Sequence, residues 1–462
     1  MPQATKYDAI VIGAGQAGPS LASRLTQTGK TVAFVERHLF GGTCVNTGCT
    51  PTKAMVASAY AAHVARRAAE YGVNLSGPIT VDIKAVNARR DAIVAKSRTG
   101  VEGWLRNNQK ITVLTGTASF ESPTTVRVGD DLLEAPQIFL NVGGRATIPD
   151  FPGVHDVPFL DNTSLLALDI LPKHLVIVGG SYIGIEFGQI YRRFGSEVTI
   201  IEKGPRLVYR EDEDVSAAVL EILQGEGINV RLNAECITLA PHEHGVEVGV
   251  TCAEGEEPST VGSHVLLAVG RTPNTQDLGL DKAGVITDKR GYITVDDQCR
   301  TNVEGIYALG DCNGKGAFTH TAYNDYEIVA ANLLDNDPRR VSDRIPCYAM
   351  FMDPPLARIG LTEAEVRATG KPALIATRPM TRVNRALEKG ESLGFMKVLV
   401  DADTKKILGA SLFGVGCDEA IHCLLDTMYA GAPYTTVLRA VHIHPTVSEL
   451  IPTLLGDLKP LE

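Results

Sequence analysis

The sequence has one tryptophan, no basic run and no uncharged stretch of the roughly 18 residues that a membrane-crossing helix needs. It also lacks a strong charge excess of either sign. Lys and Arg number 44 against 54 Asp and Glu, a net charge of −10. A mildly acidic chain without a basic patch argues against general nucleic-acid binding and against attraction to an anionic membrane surface. Cysteine is scarce: nine in 462 residues, an odd number, too few for a disulfide scaffold. That pattern reads as a reducing cytoplasm with mostly free thiols. Low-complexity segments and long Pro/Gly/Ser linkers are absent. With 44% hydrophobic and 21% charged residues, the chain is globular and not disordered. Its length implies about three domains. The opening MPQATKYDAIVIGAGQAG carries one Lys and turns glycine-rich at once, so no secretory signal is expected.

What is present is a repeat. Residues 7–13 (YDAIVIG) form a short β-branched run, the pattern of a buried parallel strand. A glycine turn with Gly13, Gly15 and Gly18 follows, then a helical stretch, then a strand ending at Glu36. The unit recurs as HLVIVGG, a turn from Gly179 to Gly184, and VTIIE ending at Glu202. Gly13 and Gly179, Gly18 and Gly184, Gly29 and Gly195, and Glu36 and Glu202 are each 166 residues apart. Two units in register point to two dinucleotide-binding folds. In each, one glycine permits the tight turn, one admits a pyrophosphate and one lets helix and strand pack closely. The helix N-terminus offers unpaired N–H groups to phosphate, and the terminal acid accepts from a ribose diol. The second turn departs from the pattern, because Ser181 stands where the middle glycine would be. Its Cβ crowds a pyrophosphate, although its hydroxyl can donate to one. Glu202 repels a 2′-phosphate and so favours NAD(H) over NADP(H), a preference that Lys203 and Arg206 soften.

Between the repeats lie two helical segments, about 52–72 and 82–107, and short strands from 111 to 142. Strands with turns fill 229–271, and TNVEGIYALGD returns to an apolar strand. From about 345, strand-like runs alternate with amphipathic helices over 363–369, 418–430 and from about 447. The resulting fold class is α/β: two Rossmann-like dinucleotide-binding domains and a C-terminal α+β domain. The expected boundaries are 1–150 with 277–343 for the first, discontinuous domain, 151–276 for the second and 344–462 for the third. Glu211-Asp212-Glu213-Asp214 reads as a solvated helix N-terminus, where acids suit the dipole, in preference to a metal site.

GGTCVNTGCTPTK is the most informative segment. Cys44 and Cys49 are five apart, just beyond the strand carrying Glu36. Pro51 suits an early helical position, which puts Cys49 at or near a helix N-terminus, where a thiolate is favoured. The spacing does not suit a zinc knuckle, which wants a second ligand pair. Near the other end, His444 and Glu449 have the spacing of a dyad in which the acid orients the ring. From spacing alone a structural histidine is the plainer reading, and His442 with His444 is the alternative of a metal pair. No metal is expected. The other seven cysteines show no motif spacing and read as small buried hydrophobes.

Together, in order along nearly the whole chain, GxGxxG, CxxxxC, the second turn, GD and HPxxxE resemble the class I pyridine nucleotide–disulfide oxidoreductases. The resemblance implies FAD on the first fold, with Gly13, Gly15 and Gly18 at the turn, Glu36 on the ribose, Thr43 near the pyrophosphate and Ala118 near the adenine. Gly143, Asp311, Thr319 and His320 would complete that site. NAD would take Gly179, Ser181, Gly184, Glu202 and Gly270, with Tyr182 gating the nicotinamide side. Lys53 would sit by the flavin and pair with Glu186. Cys49 would be the thiol facing the flavin and Cys44 the interchange thiol. His444, oriented by Glu449, would be the acid/base supplied across an obligate homodimer.

Within the family, Ser181 resembles the mercuric reductases. Those enzymes carry a C-terminal cysteine pair and a Tyr in place of the dyad His, whereas this chain ends LLGDLKPLE and has His444. Glutathione reductases carry basic residues where Glu202 stands. GGTCVNTGCTPTK, FxDPPLARIG and the residues after Thr319 resemble the mercuric-reductase-like flavoproteins that defend against reactive oxidants, acting on a small disulfide, oxidant or metal-ion acceptor. Dihydrolipoamide dehydrogenase, with a 2-oxoacid dehydrogenase complex core as partner, is the alternative. A flavin-based redox sensor or thiol oxidase is the third reading, and fast NADH consumption with a small acceptor would speak against it.

Overall fold

The computed structural model describes residues 3–251 and 258–462. Its first sheet is five-stranded and wholly parallel, in the order Ile306–Ala308, Ile138–Leu140, Ala9–Ile12, Val32–Glu36, Ile111–Thr115. The strand that closes one edge therefore comes from far along the chain. Ala9–Ile12 and Val32–Glu36 are buried throughout, as their unbroken apolar runs require when both faces are covered.

The second sheet runs Asn229–Arg231, Glu197–Ile201, His174–Val178, His264–Leu267, again all parallel. The repeat extends to register. Ala9 pairs with Val32, and Leu175 with Val198, at the same 166-residue offset. A two-stranded ribbon, Gly144–Ala146 with Arg271–Pro273, ties the two units together. The C-terminal part is a six-stranded antiparallel sheet with short helices packed on it.

Several expectations need correction. The first long helix begins at Cys49 and ends at Arg66, with a separate turn over Ala68–Tyr71. The helix expected over 418–430 is two, Cys417–Ala420 and His422–Tyr429, and the last helix starts only at Leu450. The acidic run is not a solvated helix end. The helix does begin at Glu213, but Glu211 and Asp212 are buried against Arg358 and Lys397 from the C-terminal sheet. Buried cations from distant strands, Arg358 and Lys397, hold these two acids, and not the local helix dipole alone. Cys299, Cys312 and Cys417 are buried, but Cys236 is exposed, and Cys252 lies outside the described residues.

Candidate active site

The first glycine turn is closed by contacts that leave no room for side chains. A Cβ on Gly13, which adopts φ +105°, would lie 2.2 Å from the Asn141 carbonyl oxygen. One on Gly18 would lie 2.2 Å from that of Gly13, and one on Gly42 would lie 2.8 Å from the Gly15 Cα. Glu36 braces the turn from below. Its Oε2 accepts the Ala14 N–H at 2.8 Å and its Oε1 the His38 N–H at 2.7 Å. Glu202 does the same 166 residues later, accepting from Gly180 at 2.6 Å and Gly204 at 2.7 Å. Each carboxylate oxygen keeps a lone pair for a ribose diol. Gly184 repeats the packing role of Gly18, with 2.1 Å from its would-be Cβ to the Gly179 oxygen. Ser181 is exposed and its hydroxyl makes no capping bond, which leaves it free to donate outward.

Both turns open into one cavity of about 2030 Å³. That is larger than the roughly 300–1,000 Å³ of a single small-molecule site. On its first side it is walled by Gly13, Gly15, Glu36, Thr43, Ala118 and Gly143, and on its second by Gly179, Ser181, Tyr182, Glu202 and Gly270. Cys44, Cys49, Lys53, Glu186, Asp311, Thr319 and His320 lie on the wall between them. Gly18 and Gly184 sit behind the wall, where packing and not ligand contact needs them.

Cys44 lies in a short helix, Gly42–Asn46, that local sequence did not announce, and Cys49 is the first residue of Cys49–Arg66. The Cys44 thiol bonds the Cys49 sulfur, Thr319 Oγ1 stands 3.2 Å from it, and the Lys53 charge is near. These hold Cys49 down at about 6, against the effect of burial. The same shared proton and burial push Cys44 far up. The reduced pair is therefore a Cys49 thiolate hydrogen-bonded by a Cys44 thiol. Lys53, one helical turn beyond Cys49, is 2.6 Å from Glu186 Oε2, and Glu186 Oε1 accepts the Phe351 N–H at 2.8 Å.

Burial raises Asp311, and Arg271 at 3.5 Å opposes that. Burial keeps His320 below the ordinary imidazole value, and its ring bonds the Cys347 carbonyl at 2.7 Å. His444 Nδ1 is 2.8 Å from Glu449 Oε2, so the two do form a pair. The structure does not bring them to the cysteines of their own chain. The His444 side chain is 70% exposed, between the exposed Val441 and Ile443 and the Pro445 that follows. Among the described residues no group of three His, Cys, Asp or Glu could hold a metal ion, and no helix is long and apolar enough to cross a membrane.

Two contributors, Asn141 and Arg271, escaped the sequence, and a third, Glu211, was read there only as part of a solvated acidic run. Asn141 Oδ1 accepts the Gly18 N–H at 3.0 Å while its amide donates to the Leu309 carbonyl at 3.1 Å, locking the first turn. Arg271 joins Asp311. Glu211 binds the Tyr182 hydroxyl at 2.7 Å. The position of Asn141 directly after an apolar strand was the only signal any of them gave.

Residues 7–325 match the family described as pyridine nucleotide-disulphide oxidoreductase, and residues 347–455 match its dimerisation domain. A probable pyridine nucleotide-disulfide oxidoreductase, RclA of Escherichia coli, is 35% identical over 98% of this chain and 100% of its own. The dihydrolipoyl dehydrogenase of Bacillus subtilis is 33% identical over 96% of this chain and 94% of its own. Among solved structures, the HOCl-induced flavoprotein disulfide reductase RclA from Escherichia coli superposes with a TM-score of 0.89 at 34% identity, covering 97% of this chain and 99% of that one.

Proposed function

The chain belongs to the pyridine nucleotide–disulphide oxidoreductases, and we propose that it passes electrons from NAD(P)H to the Cys44–Cys49 pair and on to a small disulfide, oxidant or metal-ion acceptor. The observation that carries this reading is the continuous cavity in which two braced nucleotide turns flank a polarised cysteine pair. FAD fits the first side: the Gly13–Gly18 turn admits a backbone-close pyrophosphate, Glu36 is free to take a ribose, and Asp311 and Thr319 stand farther along the wall. When bound, FAD supplies the two-electron relay between nicotinamide and disulfide. NADH is the preferred donor, because the Glu202 carboxylate faces the second ribose position. The three units fall at 1–150 with 277–343, 151–276 and 344–462.

The chain's own residues then divide the work. Thr319, Lys53 and the Cys44 thiol hold Cys49 as the anion. Cys44 is left as the protonated partner that gives up its proton and attacks the acceptor. With a disulfide acceptor, Cys44 forms a mixed disulfide and one acceptor thiolate leaves; Cys49 then attacks Cys44, re-forming the pair and releasing the second thiolate. Lys53 and Glu186 keep a fixed charge pair beside Cys49, and Tyr182 closes the nicotinamide side. His444 is exposed while Glu449, largely buried in its own chain, holds the ring, which suits a proton carrier reaching the cysteines across a cytoplasmic homodimer.

The HOCl-induced solved relative supports the oxidant-defence branch. The dihydrolipoyl dehydrogenase relatives and Glu202 support a second reading, a lipoamide enzyme serving a 2-oxoacid dehydrogenase complex. The deciding experiment is NAD⁺ reduction by dihydrolipoamide on the FAD-loaded protein, beside an acceptor screen with hypothiocyanous acid, hypochlorous acid products and metal ions. Turnover with dihydrolipoamide in the tens per second establishes the second reading. Negligible turnover with NADH-driven reduction of one of the other acceptors establishes the first. In either case Cys44→Ser is expected to abolish acceptor turnover while NADH still bleaches the flavin. Undiminished turnover overturns the role of the pair.

A further inference from the structure

The acidic run after the second turn does something the sequence did not show. Glu211 Oε1 accepts two phenolic hydroxyls at once, Tyr182 at 2.7 Å and Tyr348 at 2.7 Å. Burial, reinforced by the Glu211 charge, raises both tyrosines, so both stay protonated donors. The other oxygen, Oε2, faces Arg358 Nη1 at 3.5 Å. Arg358 also bonds Ser411 at 2.7 Å and stands 3.4 Å from Asp212, which Lys397 reaches at 3.1 Å. Glu211 and Arg358 are almost wholly buried. Tyr182 opens the helix after the second glycine turn, whereas Tyr348, Arg358, Ser411 and Lys397 all belong to the C-terminal sheet. Its ring lies 5.6 Å from that of Tyr348 and 6.5 Å from that of Phe318, centre to centre.

We propose that Glu211 is a positioning residue for the nicotinamide half-reaction: it latches the Tyr182 ring in place, and the C-terminal sheet holds Glu211 through Arg358 and tunes the latch through Tyr348. The inference rests on the reading of Tyr182 as the nicotinamide gate. To swing aside, the ring must leave a charge-assisted hydrogen bond in a buried site, so the latch lowers the open fraction and with it the apparent affinity for nicotinamide dinucleotide. Tyr348 shares the same acceptor oxygen. Sharing one oxygen weakens each bond, so the Tyr348 hydroxyl sets the latch strength.

Two conservative variants move the latch in opposite directions. Tyr182→Phe keeps the ring and removes the latched hydroxyl. Tyr348→Phe leaves Tyr182 as the only phenol on Glu211. With the oxidised, FAD-loaded protein, calorimetric titration with NAD⁺ is expected to give a Kd roughly tenfold lower for Tyr182→Phe and roughly two- to threefold higher for Tyr348→Phe. KM for NADH follows the same order, and for Tyr348→Phe the limiting rate of flavin bleaching at saturating NADH stays close to wild type. Shifts in the same direction, or none, overturn the latch. Tyr182→Ala separates the two ideas. If it leaves NAD⁺ affinity unchanged, the gate reading itself fails. If it changes affinity while the two phenylalanine variants do not diverge, only the latch fails. Glu211→Gln is the less informative variant, because it removes the carboxylate charge that faces buried Arg358.

Discussion

The two glycine turns are copies in sequence, in strand register and in the way a terminal acid braces each one, yet their surroundings differ. Behind the first, Asn141 bonds the Gly18 N–H and the Leu309 carbonyl, and Gly42 packs onto Gly15. Behind the second, Ala268 occupies the place of Asn141, its carbonyl facing Gly179 as that of Asn141 faces Gly13. Ala268 has no polar side chain with which to lock anything, and Ser181 is exposed. The helices that follow diverge as well. The first begins at Cys49, the second at Glu213, within two residues of the repeat offset. One copy carries the cysteines and the other the carboxylate, Glu211, that grips Tyr182. A turn locked by a buried side chain suits a nucleotide that stays. A turn left open and latched through a movable ring suits one that comes and goes.

The sharpest way to break this comparison is to make the same change in both copies. Gly18→Ala and Gly184→Ala each drive a Cβ to within 2.2 Å and 2.1 Å of a backbone oxygen. Backbone cannot yield to such contacts cheaply, so each turn must distort. Gly18→Ala is expected to yield protein with little or no flavin. Gly184→Ala is expected to keep its flavin while bleaching by NADH slows at least about a hundredfold, the scale of a misplaced reactant. The flavin-to-protein ratio and stopped-flow bleaching read the two effects. Flavin loss in both variants would mean that the copies are not divided in function.

A smaller change tests the lock itself. Asn141→Ala strands the Gly18 N–H in a buried place and leaves the Leu309 carbonyl only the weak Cys312 thiol donor at 3.3 Å, a cost of roughly 1–3 kcal/mol for the unsatisfied N–H. The expected result is a clearly lower thermal midpoint and faster flavin release, with NAD⁺ affinity at the second turn unaltered. An unchanged midpoint would show that the amide is not holding the turn.

Much of this architecture was legible in the sequence because glycines and acids at fixed spacing have backbone consequences. Gly13, Gly18 and Glu36, and their partners 166 residues on, each answer to a contact within a few residues in the fold or to a neighbouring strand. Cys49 at a helix start followed from Pro51. The acidic run was misread because its partners, Arg358 and Lys397, lie on strands that look like ordinary core, and nothing local announces a buried cation. Asn141 was passed over because one asparagine after a strand carries no pattern. The pairing of His444 with Glu449 was legible in their spacing, but the separation of His444 from its own chain's cysteines was not, because no spacing encodes it.

The smallest effect separates the two helix starts by their response to pH. Cys49, at the start of the first, is held at about 6, below the ordinary thiol value of 9.0. Between those values the unfolded chain keeps a proton that the folded, reduced chain has released. Stability from this group therefore rises with pH through the window and is lost as pH falls through about 6. Cys44, pushed upward, has the opposite sign, but only above the ordinary value, so it does not cancel the rise. The carboxylates at the second helix start cannot mimic this, because Asp212 is held below its ordinary carboxylate value and is already ionised there. The measurement is the urea midpoint of the reduced wild type and of reduced Cys49→Ser at pH 6, 7 and 8. The wild-type advantage should grow at each step. A difference that stays flat would place the thiolate elsewhere and remove the chemical contrast between the two copies.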